Sequence, residues 1–537
     1  MVWQGENFGI ALKELAKEIE PDRPALIYGE EIISWGNFDS LTDRIAAGLI
    51  GLGMRPGDVA GQMLRNTPDY LLAYFGCIKA GITPVNINYH YKGRELADIF
   101  MRFGLKAIFL EQDFADVVAT IAPQGMTVVD TGSTDWLALQ GTVIPEDYVP
   151  HQDPKALFLT ATGGTTGMPK AVMWPFEAAW QAFGVSVWQR GPGEQPFLAG
   201  SLEKHVAEAA RIGPNHPASS SPLLVLSPLM HGAGQFSSVI HLLKGGSLAI
   251  LPAKKFDPIV TIREIERLQA RNIFIVGDAF ALPLADALDV YPEAAASIAS
   301  LRTVTSSGAL FSESNKTRLL AHNPQMAIID ALGSSESSGT AIVVTTVDGS
   351  TGGGKFQALP GRETKLFDQN LQEILPGESG VGIVARSGPL PLGYLGEDEK
   401  NAKTFPEIDG QRYLMTGDQA CWGEDGTLQF IGRDNMCINT GGEKVYPEEV
   451  EVVLQDHPKV RDVRVVSLPD ARFGRKVVAV VQVTGTKVDI GEELDFHARA
   501  SLAGYKVPRS YFFTDQSLRL NNGKPDYKGA QAIADKG

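Results

Sequence analysis

The sequence predicts an α/β protein. A large N-terminal domain of wound α/β sheets with a compact β unit should precede a small α+β C-terminal domain. Helical and strand patterns alternate through the first 150 residues and again in the middle of the chain, where short apolar runs end in loops with glycine, serine or proline. From about residue 352 to 433 short strands alternate with turns, and the last hundred residues or so mix helix and strand.

The elements follow in order from periodicity and turn signals. Residues 10–19 are predicted as an amphipathic helix, residues 25–35 as a hairpin through Gly29, and residues 41–52 and 71–80 as helices. The apolar runs predicted as strands are residues 107–110, 126–129, 223–226, 248–251, 273–276 and 303–305. The C-terminal elements predicted are a helix over 448–454 and strands over 463–467 and 477–483. We place the domains at residues 1–432 and 433–537.

Composition narrows the classes of function. Lys and Arg total 48 against 63 Asp and Glu, which gives a formal charge of −15 and argues against a general nucleic-acid binder. The 3 cysteines lack metal-ligand spacing and cannot all pair, which favours reduced thiols over a disulfide framework. The start of the chain lacks a signal-peptide pattern, and no uninterrupted apolar stretch approaches about 18 residues. We therefore expect a cytoplasmic protein without an integral membrane segment.

The densest chemical signal is the segment T-A-T-G-G-T-T-G-M-P-K at residues 160–170. Its glycines allow backbone N–H groups to converge on an anion, Thr165 and Thr166 add hydroxyl donors, and Lys170 adds a positive charge. The pattern predicts a phosphate-binding loop. It differs from a Walker A loop, which places Gly-Lys-Ser/Thr after four intervening residues. An ordinary turn between two strands is the alternative.

Four further segments are ambiguous when each is taken alone. In D-A-L-G-S-S-E, residues 330–336, carboxylates near a buried strand suit Mg2+ held through a nucleotide phosphate, or else cap a helix. Asp418 in a glycine turn suits a vicinal diol, or else forms an Asx turn. Residues 432–449 suit a hinge with a ligand loop, or else a plain linker. Lys524 follows a glycine near the C-terminus, where a solvated lysine is the ordinary alternative.

The order and spacing of these five segments resemble the core motifs of the adenylate-forming superfamily, which contains acyl-CoA synthetases, peptide-synthetase adenylation domains and luciferases. The resemblance covers nearly the whole chain. The motifs similar to those of the family are Thr165-Thr166-Gly167-x-Pro169-Lys170, Leu332-Gly333-x-Ser335-Glu336, Thr416-Gly417-Asp418, Gly432-Arg433 and Gly523-Lys524. The chain departs from the family at Leu332, where tyrosine is usual, and at Ala171, Asn435 and Asn439, none of which removes a group that the chemistry requires.

The resemblance implies a two-step ligation with ATP, Mg2+ and coenzyme A. A carboxylate attacks the α-phosphate of ATP, and the thiol of coenzyme A then displaces AMP. The catalytic residues implied are Lys524, Glu336 and Thr166, with Lys524 bridging carboxylate and phosphate oxygens and Glu336 binding Mg2+. The nucleotide contacts implied are Thr165, Thr166 and Lys170 for the β- and γ-phosphates, Ser335 for the α-phosphate, Asp330, Gly308 and Ala309 for adenine, and Asp418 and Arg433 for ribose.

The second step implies a mobile C-terminal domain. In the family this domain rotates about a hinge two residues beyond the matching arginine, which is Asn435 here. The loop with Gly441 and Gly442 would then approach the pantetheine tunnel as Lys524 leaves. His231 occupies the place of a gate residue beside the adenylate, and a structural histidine is the alternative.

Three short stretches narrow the expected substrate. Residues 163–174, 276–280 and 437–447 resemble bacterial acyl-CoA synthetases of fatty-acid and steroid catabolism. We therefore expect a bulky, lipid-like carboxylic acid, with medium- or long-chain fatty acids next and aryl or short acids as further alternatives. Three other functions stay open: loading of a separate acyl-carrier protein, a non-catalytic nucleotide- or acyl-binding relative, and a luciferase-type oxygenase. A homodimer is a family-level expectation.

Overall fold

We examined the fold in a computed structural model of the chain. The residues that it describes are 3–91, 93–162, 169–189, 194–212, 221–309, 311–351, 356–359, 363–424, 426–433, 436, 438–440, 443–470, 474–484, 490–520 and 523–536. The helices, α1 to α16 in chain order, are Phe8–Glu18, Trp35–Gly51, Pro68–Lys79, Arg94–Phe103, Ala115–Ala119, Thr134–Gln140, Phe176–Ala182, Leu202–Ile212, Gly232–Leu243, Pro258–Leu268, Asp278–Val290, Glu313–His322, Asp398–Thr404, Pro447–Gln455, Gly491–Ser501 and Tyr527–Ala534.

The strands are numbered in the same way. In chain order, β1 to β31 are Pro24–Tyr28, Glu31–Ser34, Val59–Met63, Thr83–Asn86, Leu105–Leu110, Thr127–Asp130, Leu157–Thr162, Lys170–Pro175, Val187–Trp188, Phe197–Leu198, Leu223–Val225, Leu248–Ile250, Asn272–Ile275, Thr303–Ser307, Ala327–Ser334, Ser338–Thr346, Gly349–Ser350, Gln357–Ala358, Thr364–Phe367, Glu373–Ile374, Gly382–Arg386, Gly393–Tyr394, Glu407–Ile408, Gln411–Arg412, Leu414–Trp422, Leu428–Arg433, Ile438–Thr440, Glu443–Val445, Val460–Asp470, Gly474–Val483 and Tyr511–Phe513.

Two large sheets form the centre of the N-terminal part. One has the strand order β17-β16-β15-β14-β13-β11-β12-β1-β2, and the other has the order β22-β8-β7-β4-β3-β5-β6. The inner strands of both sheets are mostly parallel, as connections through helices require. Their side chains are buried on both faces against helices, which is typical of parallel sheets. The predicted α/β fold class is confirmed.

The turn-rich segment forms a separate antiparallel sheet with the order β20-β19-β21-β25-β26. After it, β29 and β30 pair antiparallel along most of their length, and β31 joins β30 in parallel. Valines from these strands pack with α14 and α15 into a hydrophobic core whose members come from residues 438–513. The C-terminal segment therefore has a core of its own.

Several predicted boundaries were wrong in informative ways. Helix α2 begins at Trp35 because the Ser34 hydroxyl accepts from the Asn37 amide and caps it. Helix α3 begins at Pro68, since proline fits the first turn of a helix. The strand that ends in D-A-L-G-S was expected to stop before Asp330, but β15 continues to Ser334 because it pairs antiparallel with β16.

Helices α2 and α3 are joined by a buried ionic cluster. Lys79, whose side chain is 0% exposed, lies 2.5 Å from Asp39 Oδ1 and 2.9 Å from Asp43 Oδ1. A lysine so deep is found only with carboxylate partners, because an unpaired buried charge is costly. Among the described residues, no helix is both long and apolar enough to cross a membrane.

Candidate active site

Glu336 lies in the turn between β15 and β16 and is held by a tyrosine. Tyr394 Oη donates a hydrogen bond to Glu336 Oε1 at 2.8 Å. Tyr394 is fixed in turn, since its amide donates to Asn401 Oδ1 at 2.7 Å and its carbonyl accepts from Asn401 Nδ2 at 2.8 Å. Strand β22 pairs with β8, so Tyr394 lies opposite Val172, next to the start of the strand that carries Lys170. The hydroxyl therefore aims one carboxylate oxygen, and the other accepts no hydrogen bond from the described residues.

Two lysines share the ring of Tyr394. The Nζ atoms of Lys170 and Lys400 each lie 5.6 Å from its centroid, within the range of a cation–π contact. Burial and the neighbouring charge of Lys400 lower the pKa of Lys170 to about 8. Two cations beside the tyrosine that holds Glu336 form a site that attracts polyanions.

Two neighbours, Trp174 and Gly232, fix the position of Ser335. Its carbonyl accepts from Trp174 Nε1 at 2.9 Å, and Trp174 itself is fully buried. A Cβ on Gly232 would lie 3.0 Å from Ser335 Oγ, so the hydroxyl passes close to the N-terminus of α9. The Ser335 hydroxyl is thus placed near the N-terminus of a helix, whose positive dipole end favours a negatively charged ligand.

The residues predicted to contact adenine lie together on two neighbouring strands. Gly308 and Ala309 follow the carboxyl end of β14, and Asp330 pairs in register with Ser306 of that strand. Asp330 is buried, and its Oδ2 lies 3.3 Å from Lys316 Nζ. Burial raises the pKa of Asp330 to about 6, while the charge of Lys316 opposes the rise. Asp330 is therefore also a structural ion-pair partner, which the sequence reasoning did not foresee.

The two residues predicted to bind ribose lie opposite each other. Asp418 of β25 and Arg433 of β26 are partners in the antiparallel register. Asp418 is 3% exposed, and its amide donates to Thr416 Oγ1 at 3.2 Å. It was expected in a glycine turn but lies within a strand, because Gly417 at φ +77° falls where the pairing of β25 with β21 is irregular, and the pairing continues on both sides.

His231 occupies the N-cap position of α9, where its side chain makes no capping hydrogen bond. Its Nε2 is buried and has no hydrogen-bond partner among the described residues. Burial lowers its pKa to about 3, and the positive charges of Lys524 and His90 act in the same direction. His231 is therefore neutral at physiological pH, and the Lys524 ammonium is close enough for its field to be felt there.

The segment with Lys524 packs directly on the N-terminal domain. Gly523 has φ +81°, and a Cβ built on it would lie 2.5 Å from Ala279 Cβ in helix α11. Only glycine permits this approach and this backbone conformation without strain. The glycine before the lysine predicted to be catalytic thus lies against α11, and Lys524 itself is exposed.

Some predicted site residues lie outside the described residues: Thr165, Thr166, Asn435, Gly441 and Gly442. The side chain of Arg433 also lies outside them. Strands β7 and β8 pair with Thr162 opposite Lys170, so they hold both ends of the predicted phosphate loop together.

Sequence reasoning missed three groups that the structure brings to this site: Tyr394, Lys400 and Trp174. Tyr394 follows Gly393, whose φ of +139° favours glycine, but the sequence offered no sign that the Tyr394 hydroxyl reaches residue 336. Among the described residues, no cluster of three or more His, Cys, Asp or Glu side chains could hold a metal by itself. One aimed carboxylate suits a divalent cation that arrives with its own phosphate ligands.

Comparison with known proteins places this geometry in a family. Residues 14–395 match the AMP-binding enzyme family, and residues 449–524 match the AMP-binding enzyme C-terminal domain. A medium/long-chain-fatty-acid–CoA/3-oxocholest-4-en-26-oate–CoA ligase of Mycolicibacterium smegmatis is 35% identical, with 98% of this chain and 96% of that protein covered. A 3-oxocholest-4-en-26-oate–CoA ligase of Rhodococcus rhodochrous is 34% identical over 97% of this chain and 94% of its own.

A solved structure shows the same fold. The anthranilate CoA ligase AuaEII, crystallised with anthranoyl-AMP, superposes with a TM-score of 0.81 at 20% identity, with 97% of each chain covered. Since the family match spans most of the sequence, the resemblance carried by the five motifs is confirmed. The chain belongs to the AMP-binding enzyme family, the adenylate-forming superfamily that includes the acyl-CoA synthetases.

Proposed function

We propose that this protein is an AMP-forming acyl-CoA ligase for a bulky, lipid-like carboxylic acid. In the first step a carboxylate oxygen attacks the α-phosphorus of ATP, and the bond to the bridging oxygen breaks to release pyrophosphate. In the second step the thiolate of coenzyme A attacks the acyl carbonyl, and AMP leaves with the oxygen that the acid supplied. The chemical demand of the first step is to bring two anions together and to neutralise charge at the α-phosphate.

One observation carries this proposal: cations and aimed polar groups from distant parts of the chain converge around Glu336 and His231. Lys170 contacts the ring of the tyrosine that aims Glu336, and Ser335 lies against the start of the helix that follows His231. The charge of Lys524 from the other domain reaches His231. We assign Lys170 to the β- and γ-phosphates, Ser335 to the α-phosphate and Lys524 to the attacking carboxylate.

We propose that Mg2+ enters with ATP and is held by Glu336. The carboxylate has one oxygen engaged by Tyr394 and one that accepts no hydrogen bond from the described residues, which suits a cation whose other ligands are phosphate oxygens and water. The metal would reduce repulsion between the triphosphate and the attacking carboxylate.

We further propose that residues 1–432 and 433–537 move relative to each other between the two steps. Asn435 would serve as the hinge, and the loop with Gly441 and Gly442 would meet the pantetheine chain of coenzyme A. His231 is neutral and buried, and it would flank the acyl carbonyl without competing for the phosphate. A cytoplasmic location and a homodimer are also proposals, for cell fractionation and sedimentation to test.

The substrate class rests on the relatives. Proteins at 35% and 34% identity over nearly the whole chain are named for medium- and long-chain fatty acids and for a steroid side-chain acid. A feruloyl-CoA synthase of Amycolatopsis is more distant, at 29% identity over 94% of this chain. We therefore favour fatty and steroid carboxylates over aryl acids.

The test is a panel of acids with Mg-ATP, with and without coenzyme A, and products identified by mass spectrometry. The panel runs from acetate through palmitate to aryl acids and a cholestenoate. We expect AMP, pyrophosphate and a thioester with the fatty or steroid acids. Acyl-adenylate without thioester would contradict the ligase and favour carrier loading. Turnover of aryl acids alone would contradict the substrate class.

A further inference from the structure

Arg519 lies at the contact between the two domains, five residues before Lys524. Its Nε donates to Asp462 Oδ2 at 2.8 Å and its Nη2 to Asp462 Oδ1 at 3.2 Å, so the guanidinium is clamped within its own domain. Its Nη1 also donates to the carbonyl of Gly523 at 3.3 Å. Arg519 is thus tied to the backbone that presents Lys524.

Asp278 is the partner of Arg519 on the N-terminal domain. It is the first residue of α11, and its side chain is 1% exposed. Its Oδ1 accepts from the Ser312 amide, the Ser312 hydroxyl and Asn315 Nδ2 at 3.0 to 3.1 Å. Its Oδ2 accepts no hydrogen bond from the described residues and lies 3.9 Å from Arg519 Nη2. One oxygen therefore anchors the carboxylate, and the other faces a cation that belongs to the other domain.

The ionised side chain of Asp278 would be costly to bury without Arg519. A buried anion needs a paired cation, and the residues that hold Oδ1 are neutral. Burial raises the pKa of Asp278, and the charge of Arg519 opposes that rise. A rotation of the C-terminal domain would remove Arg519 and leave Asp278 without this cation. The pair therefore favours the orientation in which Gly523, next to Lys524, packs against Ala279 of α11.

We propose that Asp278 and Arg519 form an interdomain latch that positions Lys524 for adenylation and has to open before thioester formation. This inference rests on the proposed ligase function and deepens it. Both are positioning residues, since Asp278 acts on the reaction through Arg519, the Gly523 carbonyl and Lys524. Breaking the latch should slow the first half-reaction and leave the second unchanged or faster.

A second interdomain ion pair offers a matched control. Arg461 Nη2 lies 2.8 Å from Asp286 Oδ2, and both side chains are about one-third exposed, at 38% and 33%. Exposed pairs contribute little because water screens them. Arg461 precedes Asp462 in the same strand, but the structure shows no contact of it with the Gly523–Lys524 segment among the described residues. Arg461→Gln thus removes an interdomain arginine without touching the latch.

The experiment measures the two half-reactions separately with the acid that the panel identifies. Adenylation is followed as pyrophosphate release without coenzyme A, and thioester formation is started from synthetic acyl-adenylate. The variants are Asp278→Asn, which keeps size and the Oδ1 acceptor, Arg519→Gln, Arg519→Lys and the double variant Asp278→Asn/Arg519→Gln. We expect Asp278→Asn and Arg519→Gln each to lower the adenylation rate about 10- to 100-fold, the effect of displacing a catalytic group by about 1 Å. Arg519→Lys should recover part of the loss, and Arg461→Gln should stay within about threefold of the wild type.

The outcomes separate the latch from a purely structural role. Losses that are not additive in the double variant, with thioester formation at or above the wild-type rate, support the latch. Equal losses in both half-reactions, additive losses, or no loss in either single variant would overturn it. If Asp278→Asn does not fold, Arg519→Gln and Arg519→Lys test the pair from the other domain. Failure of the wild type to form adenylate with any acid would instead refute the ligase function itself.

Discussion

The close approach of Gly523 to helix α11 gives the most specific prediction. Gly523→Ala introduces a Cβ at 2.5 Å from Ala279 Cβ, where ordinary contacts are 3.4–4 Å. The segment with Lys524 must therefore retreat by about 1 Å, a displacement that can cost about 100-fold in rate at a catalytic group. The φ of +81° adds strain on the order of 1 kcal/mol for alanine.

We expect adenylation in Gly523→Ala to fall about 10- to 100-fold, while thioester formation from supplied acyl-adenylate is retained. The matched variant is Ala279→Gly, which removes the atom that the new methyl group meets. The double variant should recover much of the loss and keep the part that is due to backbone strain. The assay is single-turnover pyrophosphate release. Full activity of Gly523→Ala, or a double variant as slow as the single one, would refute the close approach as the cause.

Three further predictions concern the site and the fold. Tyr394→Phe should raise the Mg2+ concentration needed for half-maximal adenylation several-fold, because Glu336 loses the hydroxyl that aims it; an unchanged Mg2+ titration would contradict this. The KM for ATP should rise above about pH 8, because Lys170 is charged below its lowered pKa and neutral above it. Lys170→Arg should remove the rise in KM, and Lys400→Gln should shift the rise to higher pH. If the pH profiles of KM for both variants coincide with that of the wild type, Lys170 is not the group that titrates. Lys79→Met leaves the half-buried Asp39 without its cation and the buried Asp43 with Lys13 alone, and should lower the free energy of unfolding by about 3 kcal/mol in urea titrations, whereas a loss below about 1 kcal/mol would contradict the ionic cluster.

The wound sheets were predictable because their apolar runs are short and bounded by glycine, serine or proline. Strands β11 to β14 begin within one residue of the runs predicted at 223, 248, 273 and 303. Helix starts were less predictable, because Ser34 and Pro68 act through capping and the first turn rather than through apolar spacing. Asp330 was misplaced because strand pairing with β16 is a tertiary effect that a single segment does not encode.

The residues of the candidate site also fall into two groups, those that a short motif indicates and those that only the folded chain brings to the site. Lys170, Glu336, Asp418 and Lys524 could be proposed from the sequence because they stand in short motifs with fixed order, and their roles stay predictions. Tyr394 could not be proposed in this way, because its contact with Glu336 depends on the pairing of β22 with β8, about 220 residues apart in sequence.

Asp278 and Arg519 also escaped the sequence analysis. Their contact joins two domains across 241 residues of sequence, and an aspartate at a helix start is ordinarily only a cap. Isolated residues whose partners are distant carry no local pattern.

The most direct test of the proposed chemistry is the fate of an isotopic label. The preferred acid, labelled with 18O in its carboxylate, is converted with Mg-ATP and coenzyme A, and the AMP is analysed by mass spectrometry. Attack of the carboxylate on the α-phosphate predicts one 18O atom in each AMP that the wild type forms. The control variant is Lys528→Ala, which replaces an exposed lysine near the same terminus and should form labelled AMP as the wild type does. Lys524→Ala should form much less labelled AMP. Unlabelled AMP, or label in inorganic phosphate with ADP as the product, would contradict an acyl-adenylate intermediate.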